Sequence, residues 1–496
     1  MPARFLIVVT IGAVLAACSW SHPAPTPAWA PPLLAPLGDT AATIASVKVQ
    51  VPGLLDRAGV TGLSLAILAN GEVAWSGGFG VADEAAKRPM TETTVVEAAS
   101  LGKVVCATVA LRLVESGQLD LDRPVAKDVL DPDVGNDPLY GRVTLRQLLS
   151  HSAGLPNLRH GQALKIYFPP GDHFSYSGTG FTVIQHLIEK VTGEPLDAVA
   201  RRLVFDPAGM AHSSYVWQGR FDGQSAVGHD ENGKPVPKRK PTLAVAPASL
   251  QTTAADYGRF LAALLGGRLV KTPTLNQMFM RQTAVVPTCV ECLGVVGTAR
   301  SPEVFWGLGI GLDRTADGDI AWHWGDNDAF KAYVAVLPSR GVGVAYFANS
   351  QNGLALRDDL VGHILGGEHP DWTFVKYDQY DSPATAAKNA IQAAFIRDPT
   401  SGLAEYARQR AAGLVAADES YLDLLGFKLL DRHLPHSAVA VWELEAREFP
   451  NSWHAFDSLG LGYTIVGDRG RSIESYQKAL TLNPGDANAK RALGRD

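Results

Sequence analysis

A serine and a lysine three residues apart, Ser100 and Lys103 in AASLGKVVCATVA (residues 98–110), open a segment made otherwise of Gly, Val, Ala, Leu, Cys and Thr. Burying an ammonium is costly unless it is paired or gives up its proton. Residues three apart share a helix face, so Ser100 at a helix N-terminus would hold its hydroxyl beside the Lys103 amine. Burial and the positive end of the helix dipole both favour the neutral amine. Lys103 can then accept the serine proton, or hold a neighbouring tyrosine as its phenolate, and Ser100 becomes a candidate nucleophile. Taken alone, the pair is better read as a helix N-cap followed by a snorkelling lysine.

Two further stretches supply partners. DHFSYSGTGFTVIQHLIEKVTGEPL (172–196) places Tyr176 just before an amphipathic helix, and DIAWHWGDNDAFKAYVAV (319–336) places His323 and Gly325 just before a strand. Singly, Tyr176 reads as packing and His323 as a surface or satisfied histidine; in order with Ser100 and Lys103 they read as a catalytic set. Ser150, His151 and Ser152 suggest a serine-histidine site, but no GxSxG elbow accompanies them. The other histidines, among them His433 and His436, form no convincing metal set, so neither a metal nor a cofactor is expected.

The elements that must position these residues are legible in the pattern. Two strand-like runs flank Asn70-Gly71, a dipeptide suited to a type I′ turn, and residues 329–350 repeat the arrangement around Pro338 to Gly341. Antiparallel strands at both ends with helices between them predict a sheet assembled from the two ends of one domain. VVCATVALRLVES (104–116), nearly apolar all round and followed by Gly117, predicts a buried helix with a glycine stop. From about residue 385 the signals are helical only. There Phe456, Leu459, Gly460, Tyr463, Tyr476, Ala479 and Pro484 match the 34-residue tetratricopeptide signature, with Ser472 replacing the first Ala. Leu422, Leu425, Gly426, Leu429, Ala438, Trp442 and Pro450 match it one period earlier. Repeats are therefore expected over about 419–452 and 453–486, with helices at 384–396 and 402–414 capping the stack.

The N-terminus reads as an export segment. Arg4 precedes an apolar run from Phe5 to Ala17 that is too short for an ordinary membrane span. LAAC (15–18) resembles the lipobox of bacterial lipoproteins, which implies a signal peptide over 1–17, lipidation at Cys18, a membrane anchor and a periplasmic or cell-envelope location. Ala28-Trp29-Ala30 is a weaker competing cleavage site, and Pro-rich residues 18–40 suit a tether. Cys289 and Cys292 have no second cysteine pair nearby, so a local disulfide or a redox motif is expected rather than zinc. The net charge of −6 argues against a nucleic-acid partner. The basic run Lys234–Lys240 is rich in Pro and reads as a solvated loop.

Together with LRQLLSHSAGLP (145–156) and PASLQTTAADYGRFLAALLGG (247–267), the order and spacing of the three motifs resemble the serine β-lactamase-like family, which includes class C β-lactamases, D-alanyl carboxypeptidases and family VIII esterases. The resemblance implies an α+β domain over 41–370, with an antiparallel sheet flanked by helices plus a helical subdomain, followed by the all-α tetratricopeptide region (385–496). It implies a serine hydrolase acting through an acyl-enzyme on a small ester, D-amino-acid peptide or β-lactam. Ser100 matches the nucleophile, Lys103 its activator, Tyr176 the proton relay, and His323 the third motif on the cleft's edge strand. The backbone N–H groups of Ser100 and Asp326 match the oxyanion hole, where losing one donor costs about 3 kcal/mol in comparable sites. Two departures bear on substrate: Gly178 stands where an Asn is common, and Trp324 stands where a hydroxyl or small residue precedes Gly325. Both weaken the case for efficient β-lactam hydrolysis and leave esterase or peptidase activity. The alternative is a catalytically degenerate module that binds cell-wall fragments, or a protein partner through its repeats.

Overall fold

A computed structural model describes residues 39–494, apart from positions 130, 136, 160–162, 232, 288, 295–296, 376 and 378. The export segment, Cys18 and the tether up to residue 38 lie outside the described residues. Residues 39 and 40, assigned to the tether from sequence, already belong to the fold: Asp39 caps the helix Thr40–Ala58 by accepting the Ala41 N–H at 2.9 Å.

Asn70 and Gly71 take positive φ values of 54° and 77°, so β1 (Gly62–Ala69) turns back directly onto β2 (Glu72–Asp83). β3 (Arg88–Pro89) extends that edge, and β4 (Val96–Glu97) pairs with β5 (Gln251–Thr252) in a separate small sheet. The second half of the chain supplies β6 (Thr283–Ala284), β7 (Val304–Trp306), β8 (Gly311–Thr315), β9 (Gly318–Asp326), β10 (Lys331–Leu337) and β11 (Val342–Ala348). The main sheet runs β3-β2-β1-β11-β10-β9-β8-β7-β6, and β1 meets β11 antiparallel from Leu63↔Ala348 to Leu68↔Gly343. The sheet is thus closed by strands from the two ends of the domain.

Side chains alternate across this sheet, and both faces are covered. Leu63, Leu65, Val344 and Tyr346 share one core with Leu54 and Leu360 of the helices Thr40–Ala58 and Arg357–Leu365. Leu68, Ala345 and Phe347 share the other with the helices Gly102–Glu115, Gly178–Thr192 and Ala254–Leu265. Gly102–Glu115 is buried over most of its length and stops before Gly117, whose φ is 72°. The basic loop at 234–240 is no open cationic patch: Arg239 pairs with Asp328 at 2.8 Å and Lys240 with Asp222 at 2.6 Å.

After Leu365 the chain crosses the outer face of the sheet as a strap. Asp371 opens the short helix Asp371–Val375, accepting the Tyr333 hydroxyl at 2.6 Å and donating its N–H to Asp313 at 3.1 Å. Phe374 packs on Phe174 with ring centres 5.8 Å apart. Helices follow at Pro383–Arg397, Pro399–Ala411, Glu419–Asp431, Pro435–Glu448, Trp453–Val466 and Arg469–Leu482. The second begins earlier than the sequence reading placed it, because Pro399 sits in the first turn and Asp398 caps it by accepting the Ser401 N–H at 2.8 Å. Ile391, Phe395, Leu422, Leu425 and Trp442 form a core of their own. Lys428 reaches Glu231 of the first region at 3.6 Å.

Candidate active site

Ser100 lies in the single helical turn Ala99–Leu101 that leads into Gly102–Glu115. Ala99 has φ 48°, a left-handed conformation that costs a non-glycine residue energy and persists only where its surroundings hold it. Those surroundings are explicit. Ala98 N–H donates to Leu250 O at 2.8 Å, and the Tyr215 and Tyr257 hydroxyls donate to Gly102 O at 2.6 Å and Leu101 O at 3.2 Å. The turn leaves Ser100 half-buried, while Lys103, three residues on, is 1% exposed.

Lys103 Nζ stands 2.8 Å from Ser100 Oγ and donates to Pro247 O at 3.1 Å. Burial lowers its pKa to about 7, so near neutrality a large share of the amine is uncharged. A neutral amine can keep the Pro247 bond and still turn its lone pair to the serine proton. Tyr176 closes the other side, with the Lys103 ammonium 4.8 Å from its ring centre. Burial raises the Tyr176 pKa, so it stays a phenol; nearby Ser100 opposes that shift and Asp326 adds to it. Of the two roles open to Lys103 from sequence, proton acceptor fits this electrostatic setting and phenolate holder does not.

The loop that carries Tyr176 is fixed from two directions. His151, with φ 54°, accepts the Ser177 N–H on Nδ1 at 3.0 Å and packs on the Tyr176 ring at 4.5 Å. Ser150 and Ser152 bond each other at 3.0 Å, so this trio shapes the loop instead of forming a serine-histidine site. On the other side lies the turn closed by the Cys289–Cys292 disulfide. Tyr176 N–H donates to Val290 O at 2.8 Å, Cys292 N–H to Ser175 Oγ at 2.9 Å, and His173 Nε2 to Cys292 O at 2.9 Å.

His323 departs from its expected place. β9 lies between β10 and β8, an interior strand and not the edge, and the imidazole is wholly buried among Tyr176, Trp306 and Trp324. Burial, reinforced by Lys103, lowers its pKa to about 3, so it is neutral. Nδ1 donates to Trp324 O at 2.7 Å; the Nε2 lone pair and the Tyr176 hydroxyl have no hydrogen-bond partner among the described residues. Trp324 turns inward and packs on Tyr176 at 4.7 Å. Gly325 is required by close approach: a Cβ there would stand 2.6 Å from Ala98 O, so this glycine lets the end of β9, with Asp326, lie against the Ser100 turn.

Gly178 is explained in the same terms. A Cβ at 178 would meet Asn157 O at 2.8 Å, and the space is used by Asn157 itself, whose Oδ1 accepts the Gly178 N–H at 2.9 Å. Asn157 and the carbonyls of Pro247 and Val290 were not singled out from sequence. Asn157 follows the quoted LRQLLSHSAGLP by one residue, and the missing second-motif Asn was the available signal; a carbonyl acceptor leaves none.

Among the described residues, one group could offer three atoms to an ion: Asp313, His369 and Asp371, within 4.8 Å of one another and buried. Its carboxylates already accept the Trp322 indole N–H, the Asp371 N–H and the Tyr333 hydroxyl, and Arg357 balances Asp371. The group anchors the strap.

A family profile described as Beta-lactamase matches residues 49–365. Among curated proteins, an unguisins hydrolase of Aspergillus violaceofuscus is 26% identical over 364 residues, 63% of this chain and 64% of that protein, so the chain spans less than two thirds of that relative. A beta-lactamase of Pseudomonas fluorescens is 24% identical, covering 61% of this chain and 92% of the relative. Esterase EstB of Burkholderia gladioli is 30% identical over 35% of this chain and 52% of its own length. A class C beta lactamase structure superposes with a TM-score of 0.56 at 20% identity, covering 66% of this chain and 98% of the other, a likeness of fold.

Proposed function

Since the chain belongs to the β-lactamase family, whose members are serine hydrolases, we propose that it transfers an acyl group from an ester or small peptide to Ser100 and then to water. The observation that carries this reading is the 2.8 Å contact between Ser100 Oγ and an amine that burial brings to a pKa of about 7. Neutral Lys103 takes the serine proton as Oγ bonds to the acyl carbon. The N–H groups of Ser100 and Asp326 receive the oxyanion. When the tetrahedral intermediate collapses, the Tyr176 phenol gives its proton to the leaving group and recovers one from the Lys103 ammonium. Water then attacks the acyl-enzyme, its proton passing through the Tyr176 phenol to neutral Lys103, and Ser100 Oγ leaves with that proton returned to it from the Lys103 ammonium. Neutral His323 lines the relay and does not titrate in it.

Esterase or peptidase activity is favoured over efficient β-lactam hydrolysis. Trp324 fills with indole the place where a hydroxyl would meet a substrate carboxylate, and Gly178 removes one amide from the acyl side. Relatives named as an esterase and as a hydrolase of unguisins stand beside one named as a beta-lactamase, so the preference rests on Trp324 and Gly178. The helical stack is read as tetratricopeptide repeats that recruit a protein partner, and Cys18 as a lipid anchor holding an exported chain at the cell envelope.

A second reading, a degenerate module that binds without turnover, draws on Gly178 and on a groove of about 650 Å³ lined by Pro399, His436, Glu443 and Arg471 of the stack, away from Ser100. One experiment separates the two: intact mass of the full chain after exposure to a fluorophosphonate, beside Ser100→Ala. A single adduct on the native protein that the variant lacks is expected. No adduct on folded native protein overturns the hydrolase reading in favour of binding.

A further inference from the structure

Tyr377 lies beyond the residues that match the family, 49–365, yet its side chain returns to the third motif. Its hydroxyl donates to Asp326 Oδ2 at 2.6 Å. A phenol from beyond the family match therefore ties down the residue that follows Gly325. On the other carboxylate oxygen, Lys331 forms an ion pair and the Asp328 N–H donates at 3.0 Å. The buried Lys331 ammonium also stands 5.9 Å from the Tyr377 ring centre, so cation and phenol enclose the Asp326 carboxylate together.

Such an enclosure answers an electrostatic difficulty. Acyl transfer develops negative charge on the substrate oxygen, and the residue whose N–H would receive that oxygen carries a carboxylate of its own. Left bare in a partly buried site, this carboxylate would repel the oxyanion more strongly than it could in water. We propose that Tyr377, supplied by the strap that follows the hydrolase fold, is a positioning residue for the oxyanion site: together with Lys331 it holds and screens the Asp326 carboxylate. The inference rests on the Ser100 acyl-enzyme reading. It makes the strap part of the active site, and the strap leads directly to Ser382, the cap of the first helix of the stack.

The test is steady-state turnover of a small chromogenic ester by the full chain in four forms: native, Tyr377→Phe, Asp326→Ala and the double variant. Native turnover must disappear in Ser100→Ala; if there is none to lose, the acyl-enzyme reading falls and this inference with it. With turnover present, Tyr377→Phe lowers kcat about tenfold while KM stays within about twofold. In the Asp326→Ala background the same substitution has no further effect, because no carboxylate remains to be screened. An equal loss in both backgrounds shows that Tyr377 merely packs the strap, and an unchanged kcat in Tyr377→Phe shows that Lys331 suffices; either result overturns the proposal. Melting temperatures are compared across all forms, and should Asp326→Ala not fold, Asp326→Asn removes the charge while keeping the shape.

Discussion

Lys103 in the hydrolase fold and Glu445 in the helical stack are both buried ionisable groups forced towards neutrality, and they do opposite things with it. Lys103, near a pKa of about 7, meets Ser100 Oγ at 2.8 Å, and that serine is open enough to meet a substrate. Glu445 lies within the helix Pro435–Glu448 with its pKa raised to about 9 by burial and by Asp423 and Glu419, and neither of its oxygens has a hydrogen-bond partner among the described residues. A shifted pKa becomes chemistry only where an accessible group is placed to exchange the proton. Elsewhere it is a cost of packing.

That contrast can be broken at either end. The largest effect is expected at Lys103. Lys103→Met keeps the bulk, removes the base, and should lower kcat for a small ester about a thousandfold in a protein that still folds. In the native chain kcat/KM should rise with pH through an apparent pKa of about 7, since the protonated amine is the inactive form. A profile flat from pH 5 to 9 would remove Lys103 as the base.

A smaller effect, on stability alone, is expected at Glu445. Its folded pKa stands above the unfolded value of 4.5, so it costs nothing below that pH, where both states are protonated, and destabilises increasingly as pH climbs towards 9. Glu445→Gln should therefore melt a few degrees higher than the native chain at pH 8, with no gain at pH 4 and no change in turnover. A change in turnover would mean that the two regions are coupled. The smallest effect is expected from removing residues 416–496, which leaves the Tyr377 strap in place: kcat/KM for a small ester should stay within about twofold, measured on truncated protein shown to be folded.

The elements around the site were readable because their signals are local. Asn70-Gly71 can be recognised as a turn from two residues, and the apolar run closed by Gly117 as a buried helix from fourteen. Ser100, Lys103 and Tyr176 were readable because three motifs occur in one order. His323 was found but misplaced: strand identity depends on which neighbours pair with it, and β6, β7 and β8 are too short to announce themselves beyond β9. Asn157 and Tyr377 were missed for a related reason. Each acts through a contact far along the chain, Asn157 on Gly178 and Tyr377 on Asp326, and periodicity carries no record of such pairs.

Residue type and spacing alone picked out Ser100, Lys103 and Tyr176, which the structure brings together, and the division into a mixed region and a helical one, because hydrogen-bond capacity and helical or strand periodicity are properties of short segments. Only the tertiary structure decided the charge states and the walls of the site. Lys103 approaches neutrality because other segments bury it, His323 is silent because Trp306 and Trp324 close over it, and Asp326 is held by a tyrosine from the strap. Desolvation is set by everything that surrounds a group, and in a folded chain most of those surroundings come from far away in sequence.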